Sequence, residues 1–393
     1  MDRRSFFRTA AIGGAGSLTL AAPAIAQSSP QVQWRCTSSF PKGLDTVYGG
    51  AEDLARYVRE ATDGAFDIQV FAAGEIVPGL QAADAAQNGT VEMCHTAAYY
   101  FVGKSPTWAL GTVIPFGLNA RGMNAWLYYG GGADALNTFY NQQGLQFMAA
   151  GNTGTQMGGW FREEIGGLQD MQGLQMRVAG LGGRIMEALG VVPQQIAGGD
   201  VYAALERGAI DATEWVGPYD DNRLGFQRVA PYYYYPGWWE GNATLSVFCN
   251  KEAYDALPES YRSLLETAAR AVNTDMLAEY DYKNPTALRE LVDNGAELRR
   301  FPDDVMEAGY EATLDLYSDF RQNVDGWAEI YDSMMAFQSE HFLWTQVAEQ
   351  NFAAFMQQKQ SEGRLPAQID GAGAVGGGSA AGSDAGSSES TDQ

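Results

Sequence analysis

Two ionisable residues in one short stretch carry most of the chemistry this chain can offer. Arg177 sits between Met176 and Val178, in an apolar run that reads as a strand. A guanidinium there is costly to bury unless something anionic faces it. Glu214 lies beyond Gly208-Ala209-Ile210-Asp211, at the end of another strand-like run. Strand ends are where open α/β sheets present groups to a ligand. One cation and one carboxylate brought to one crevice suit a small acid held there, with or without a metal ion.

The elements that must position this pair are legible in the pattern. From Asp170 to Trp215 the chain reads strand, helix, strand, helix, strand. Strands alternate with helices from Val32 onward, which predicts an α/β fold. Gln31 to Ser38 and Phe66 to Phe71 read as strands, and Val91 to Thr96 as another. Between them, Thr46 to Thr62 has helical periodicity, and Ala82 to Asn88 is a short helix closed by Gly89. The later part is mostly helical. Glu252 to Asn294 holds one or two helices, broken at Pro285 if continuous, followed by Asp303 to Phe337 and Glu340 to Gln360. Length and apolar content allow two domains with sizeable cores.

Enzyme signatures fail one by one. Gly103-Lys104-Ser105 imitates the end of a phosphate loop, but no glycine-rich lead-in precedes it. The two histidines, His95 and His341, lack metal-ligand spacing. No G-x-S-x-G elbow occurs. Cys94 and His95 are neighbours in one strand and so face opposite sides of it. His95 reads as a structural or pocket-edge residue. The enzymatic alternative that survives is acid or base chemistry by Glu214 or Glu240 in the same cleft.

Charge and targeting narrow the class further. Asp2-Arg3-Arg4-Ser5-Phe6-Phe7-Arg8, an Ala/Gly/Leu-rich run and Ala24-Ile25-Ala26 read as a signal peptide of twin-arginine type over residues 1–26. Its removal takes three arginines and one aspartate, so the net charge of −23 becomes −25. Such a chain repels nucleic acid and anionic lipid. It also repels an anionic solute at long range, which makes Arg177 matter more. The three cysteines (Cys36, Cys94 and Cys249) are too scattered for a disulfide framework, so buried free thiols are expected. Gly371 to Gln393 has no aromatic or long aliphatic residue and is expected to be disordered.

The stretch that opened this reading also carries a resemblance. G-L-Q-M-R-V (173–178), A-L-G-V-V-P-Q (188–194) and D-V-Y-A-A-L-E-R-G-A-I-D-A-T-E (200–214) resemble, in order, the signature of TRAP-transporter solute-binding proteins, the DctP-like periplasmic receptors. The likeness extends more weakly from about Val32 to about Gln360. Glu214-Trp215, with Gln156 upstream, is similar to the subgroup that binds 2-oxo or 2-hydroxy monocarboxylates together with a cation.

The resemblance implies two α/β lobes joined by crossing strands, with a hinged cleft and long C-terminal helices. Residues 31–152 with 244–284 would form lobe I, and 153–243 with 285–365 lobe II and the C-terminal helices. It implies a periplasmic receptor for a pyruvate-like 2-oxo acid, or for lactate or another 2-hydroxy acid. The partner would be a permease with a small and a large membrane subunit. A sensor-domain ligand presenter would share the fold and differ only in partner.

For the site, Arg177 would hold the carboxylate with its planar fork. An α-oxygen beside a carboxylate oxygen chelates a hard cation, sodium or calcium. Such an ion takes oxygen ligands, here Glu214, the Gln156 amide oxygen and the Trp215 carbonyl. Tyr100 could donate its hydroxyl to the solute. Asn152 lies where the chain crosses between lobes, and Glu240, after the aromatic cluster Tyr232 to Trp239, sits on the return crossing as a weaker candidate. Aromatics and methionines from Trp327 to Met356 point to a homodimer held by the last helices, with packing inside one subunit as the simpler explanation.

Overall fold

A computed structural model describes residues 30–364, so the expected signal peptide and the tail beyond Gly371 lie outside the described residues. Two sheets organise the chain. The first takes β1 (Val32–Ser38), β2 (Phe66–Phe71), β3 (Met93–Thr96), β4 (Leu145–Asn152) and β10 (Thr244–Asn250), in the order β2-β1-β3-β10-β4. The second takes β5 (Gly159–Phe161), β6 (Gln175–Arg177), β7 (Val192–Gln194), β8 (Ala212–Thr213), β9 (Tyr232–Tyr235) and β11 (Glu297–Arg300), in the order β11-β9-β5-β8-β6-β7. β10 is antiparallel to both its neighbours, because it returns to the first sheet from the second.

Helices cover both sheets. They are α1 (Gly49–Ala61), α2 (Ala82–Gln87), α3 (Ala120–Tyr129), α4 (Gly132–Gln142), α5 (Gly180–Ala188) and α6 (Gly198–Glu206). After them come α7 (Pro218–Leu224), α8 (Lys251–Asp255), α9 (Glu259–Asp293), α10 (Asp303–Asn323), α11 (Trp327–Thr345) and α12 (Asn351–Ser361). In α1, Leu54 and Val58 are one turn apart on one stripe and are both buried. They meet Trp34, Cys36 and Phe66 of the sheet and Leu265 and Val272 of α9 in one core. All three cysteines are free and buried.

Two helix expectations are corrected. Pro285 does not break α9, which runs unbroken for 35 residues; the interruption falls earlier, at Ala256–Pro258. Packing holds both halves: Leu265 and Val272 sit against the first sheet, while Asn284 accepts from the Tyr219 amide of α7 at 3.0 Å. The late helices do not part near Gln338. They part at Val324–Gly326, where Gly326 takes the left-handed φ of 73° that a helix break favours, and α11 runs through to Thr345.

Behind the second sheet lies a buried carboxylate with a testable signature. Asp221 accepts from the Tyr233 hydroxyl at 2.7 Å, from Trp160 Nε1 at 3.0 Å and from the Val216 amide at 3.3 Å. Burial nevertheless pushes its carboxyl up to about 7. A carboxyl raised on folding favours the folded state below its unfolded pKa, and that contribution is lost as pH rises through the folded pKa. The melting temperature is therefore expected to fall from about pH 4 to about pH 7, and to fall less in Asp221→Asn. Parallel pH curves for the two proteins would show that the group does not titrate there.

Candidate functional site

Two crossing segments bring the site together. The chain leaves β4 at Asn152 for the second sheet and returns from β9 to β10 through residues 236–243. The segments bond to each other as a short antiparallel ribbon: Thr153 N to Ala243 O at 3.1 Å, Gln156 N to Glu240 O at 3.0 Å and Gly158 N to Tyr234 O at 2.8 Å. This pairing sets Gln156 opposite Glu240 between the lobes. Both side chains are buried.

Arg177 and Glu214 arrive from neighbouring parallel strands. β6 pairs with β8 so that Arg177 stands opposite Thr213, which puts Glu214 one residue past the end of β8. Arg177 Nη1 donates to Glu214 Oε1 at 2.5 Å and to the Glu214 carbonyl at 2.8 Å, while Nε donates to the Ile196 carbonyl at 3.2 Å. The Ala179 amide also donates to Glu214 Oε1, at 2.8 Å. The Trp215 ring lies against the guanidinium, 5.0 Å from its carbon. The anion that this buried arginine requires is thus first of all Glu214.

What remains unsatisfied defines the site. Glu214 Oε2, Gln156 Oε1 and Glu240 Oε2 are buried and have no hydrogen-bond partner. The Trp215 carbonyl accepts no hydrogen bond from the described residues either. Leaving one such atom dry costs roughly 1–3 kcal/mol, and more when the group is charged. Four oxygens without donors are what a hard cation takes as ligands. Among the described residues no three His, Cys, Asp or Glu side chains form a metal cage. A cation here would therefore rest on one or two carboxylates with amide and carbonyl oxygens. The donor set fits sodium or calcium in kind.

Electrostatics point the same way. Burial pushes Glu240 well above the carboxylate range, the Glu214 charge adds to this, and Tyr99 and Arg177 oppose it. Glu214 is also raised by burial, against the pull of Arg177 and the Ala179 amide. One guanidinium faces two carboxyls in a dry setting, so with both ionised the cluster would carry one negative charge in excess, the state that burial disfavours.

A small cavity adjoins these groups, walled by Tyr99, Tyr100, Trp215, Phe40, Val47 and Leu245 and also touching Gln156. Tyr99 and Tyr100 stack with ring centres 5.1 Å apart. Burial raises the Tyr100 hydroxyl to about 12, with Arg177 pulling it back. It is a proton donor at any physiological pH.

Of the seven residues singled out from sequence, Tyr100, Gln156 and Trp215 line this cavity, and Arg177, Glu214 and Glu240 lie close enough to act electrostatically on its Tyr99 and Tyr100. Asn152 does neither. Its amide is spent inside the hinge, donating to Asn242 Oδ1 and Thr244 Oγ1 and accepting from the Gly154 amide at 2.9 Å. It braces the ribbon instead of facing the cavity. Tyr99, Thr153, whose hydroxyl accepts from the Gln156 side-chain amide at 3.0 Å beside the cavity, and the Ala179 amide were missed, the first overshadowed by its neighbour and the last without a side-chain signal. His95 is buried, with Nε2 2.9 Å from the Ala150 carbonyl, and burial pulls it down to about 4.

Residues 37–323 match the bacterial extracellular solute-binding proteins, family 7. The chain belongs to this family. A monocarboxylate 2-oxoacid-binding periplasmic protein of Nostoc sp. is 44% identical over 365 residues, covering 92% of this chain and all of that protein. A TRAP-transporter solute-binding protein of Bordetella bronchiseptica, a mixed-occupancy dimer with copurified calcium and picolinate, superposes with a TM-score of 0.84. It shares 44% identity, covering 85% of this chain and 100% of that one. A periplasmic solute-binding protein of Pseudoalteromonas atlantica with bound sodium and pyruvate gives a TM-score of 0.80 at 35% identity, covering 82% and 99%. The two lobes, the crossing ribbon and the long late helices are thus those of a TRAP solute-binding protein. Among the described residues no helix is long and apolar enough to cross a membrane.

Proposed function

We propose that this solute-binding protein is a non-catalytic periplasmic receptor for a small 2-oxo monocarboxylate of pyruvate type. It is exported by its twin-arginine signal and passes its solute to a TRAP permease of one small and one large membrane subunit. The observation that carries the reading is the set of partnerless oxygens beside Arg177 in the cleft: Glu214 Oε2, Gln156 Oε1 and Glu240 Oε2. A bound cation would supply positive charge shared by these oxygens and by the acid's carboxylate and α-oxygen. With both Glu214 and Glu240 ionised, a divalent ion and a monocarboxylate leave the cluster neutral, which favours calcium over sodium.

Each residue has a task in capture. Arg177 attracts and orients the solute carboxylate, and Glu214 keeps it fixed through Oε1 while Oε2 stays free for a cation. Tyr100 donates its hydroxyl, and Trp215, Phe40 and Leu245 exclude water from the small cavity. Native mass spectrometry of the protein as purified is expected to show one small acid and one metal ion. Protein that carries neither, and gains neither when pyruvate and calcium are added, contradicts the reading.

We also infer a homodimer. The late aromatic stripe divides: Trp327, Ile330 and Met334 are buried within the subunit, whereas α12 buries nothing. Trp344, Val347 and Phe352 are 62%, 71% and 67% exposed, large apolar side chains left open on the last helical stretch. Wild-type protein is expected to scatter light as a dimer at micromolar concentration, and Trp344→Glu/Phe352→Glu as a monomer with unchanged melting. A monomeric wild type, or a dimeric double variant, removes these helices from the interface.

A further inference from the structure

A second cavity, of about 190 Å³, lies in the first lobe and shares no residue with the solute cavity. Its walls are α3, α4, β4 and the half of α9 that packs on the first sheet. β4 is an edge strand of that sheet, so one row of its backbone groups faces away from β10. Asn137 of α4 closes this row at Phe147, accepting from the Phe147 amide at 2.8 Å and donating to its carbonyl at 3.2 Å. Backbone groups alternate in direction along a strand, so the N–H and C=O of Ala149 face the same way. One turn before Asn137 the helix carries Ala133, whose methyl cannot bond to them. Ala149 is buried, and no described residue meets either group on that side.

Across the gap, Glu266 and Arg270 of α9 stand one turn apart, the spacing at which a glutamate and an arginine ordinarily pair. Here they turn apart. Glu266 accepts from the Tyr254 hydroxyl at 2.5 Å, and the Arg270 guanidinium lies over the Tyr128 ring, 4.5 Å from its centre. Asn273, fully buried, donates to the Tyr128 hydroxyl at 3.1 Å and so fixes the ring beneath the guanidinium. Glu266 and Arg270 both line the cavity, as does Asp134 of α4.

We propose that this cavity is a second binding site, for a free α-amino acid, with Arg270 taking the α-carboxylate, Glu266 and Asp134 the α-ammonium, and the Ala149 edge the remaining donor and acceptor. Buried backbone groups are costly to leave unpaired, so the open edge calls for a polar occupant. A guanidinium and two carboxylates that leave one another free call for a molecule that carries both charges. A simple anion would meet Arg270 but also the two carboxylates, and the net charge of −23 repels it from a distance. A simple cation would leave Arg270 unanswered. A zwitterion has no net charge and serves both signs. The volume is below the roughly 300–1,000 Å³ of sites for drug-sized ligands, which suits a molecule of amino-acid size.

Saturation-transfer NMR with pools of the twenty standard amino acids is expected to mark at least one of them as bound by the wild-type protein. Arg270→Ala is expected to weaken that amino acid by more than about tenfold, because the carboxylate loses its only cation. Arg270 is exposed, so its replacement leaves the fold intact. The matching acid without the amino group is expected to bind the wild type at least about tenfold less tightly, since Glu266 and Asp134 then face a bare anion. Ala133→Asn sets a second amide one turn before Asn137, where it can close the strand edge as Asn137 does. It is expected to abolish amino-acid binding without lowering the melting temperature. Transfer to no member of the pools, or wild-type affinity in Arg270→Ala, would overturn the site. Equal binding of the amino acid and its counterpart without the amino group would overturn its assignment to a zwitterion.

Discussion

Arg177→Lys is expected to weaken pyruvate binding by more than tenfold, about 1.4 kcal/mol or beyond. The guanidinium already spends Nη1 on Glu214 and Nε on the Ile196 carbonyl. It can do this and keep a donor for a solute carboxylate only because it is a planar fork with several donors. An ammonium is a point charge that cannot serve Glu214, Ile196 and a solute carboxylate in fixed directions. The effect should fall mainly on dissociation, since the charge that steers encounter is kept. Arg177→Ala is expected to do more, because it leaves Glu214 buried without its partner; breaking a buried pair from one side costs roughly 3–5 kcal/mol. Calorimetry on folded Arg177→Lys with near wild-type affinity would remove Arg177 from the site and leave it a structural partner of Glu214.

Glu214→Gln should have the second large effect, on the coupling between metal and solute. In the wild-type protein the solute and the cation would each make half of a shared set of contacts, so each should tighten the other by the same factor. Glu214→Gln withdraws the one formal charge that Glu214 would share between the cation and Arg177. Cation affinity should drop most, and the preference for pyruvate over propionate, which lacks the α-oxygen, should shrink with it. A purely structural Glu214 predicts otherwise: weaker binding of both acids with their ratio unchanged. Titrating both acids into wild type and Glu214→Gln separates these outcomes.

Much of this site was legible in the sequence because its core is a local unit. The strands at 175–177 and 212–213 are short and parallel, and the helical crossings between them are bounded by Gly190 and Gly208, both with positive φ. Arg177 opposite Thr213 and Glu214 just beyond follow from that pattern. Gln156 and Glu240 are paired by a ribbon whose strands are 84 residues apart, a long-range fact that only the family resemblance hinted at.

Where expectation failed, tertiary packing or local bonding overrode a residue's usual role. Pro285 was read as a breaker, yet the lobes hold both halves of α9. Asn152 was placed with the solute, and the hinge consumed its amide. Asp220 and Asp221 follow Pro218 as acidic residues in the first turn of α7, where exposed carboxylates are ordinary. Nothing in the sequence marks them as buried, and their donors come from α9, β5, β9 and the loop before α1.

Capture of a 2-oxo acid through a shared cation is tested by a calorimetric titration of pyruvate and of propionate into the wild-type protein, with calcium and again after chelation. Pyruvate should bind much more tightly than propionate when calcium is present, and the difference should collapse when it is removed. Equal binding of the two acids, or a pyruvate affinity that the chelator leaves unmoved, would show that no cation bridges the solute to the cleft.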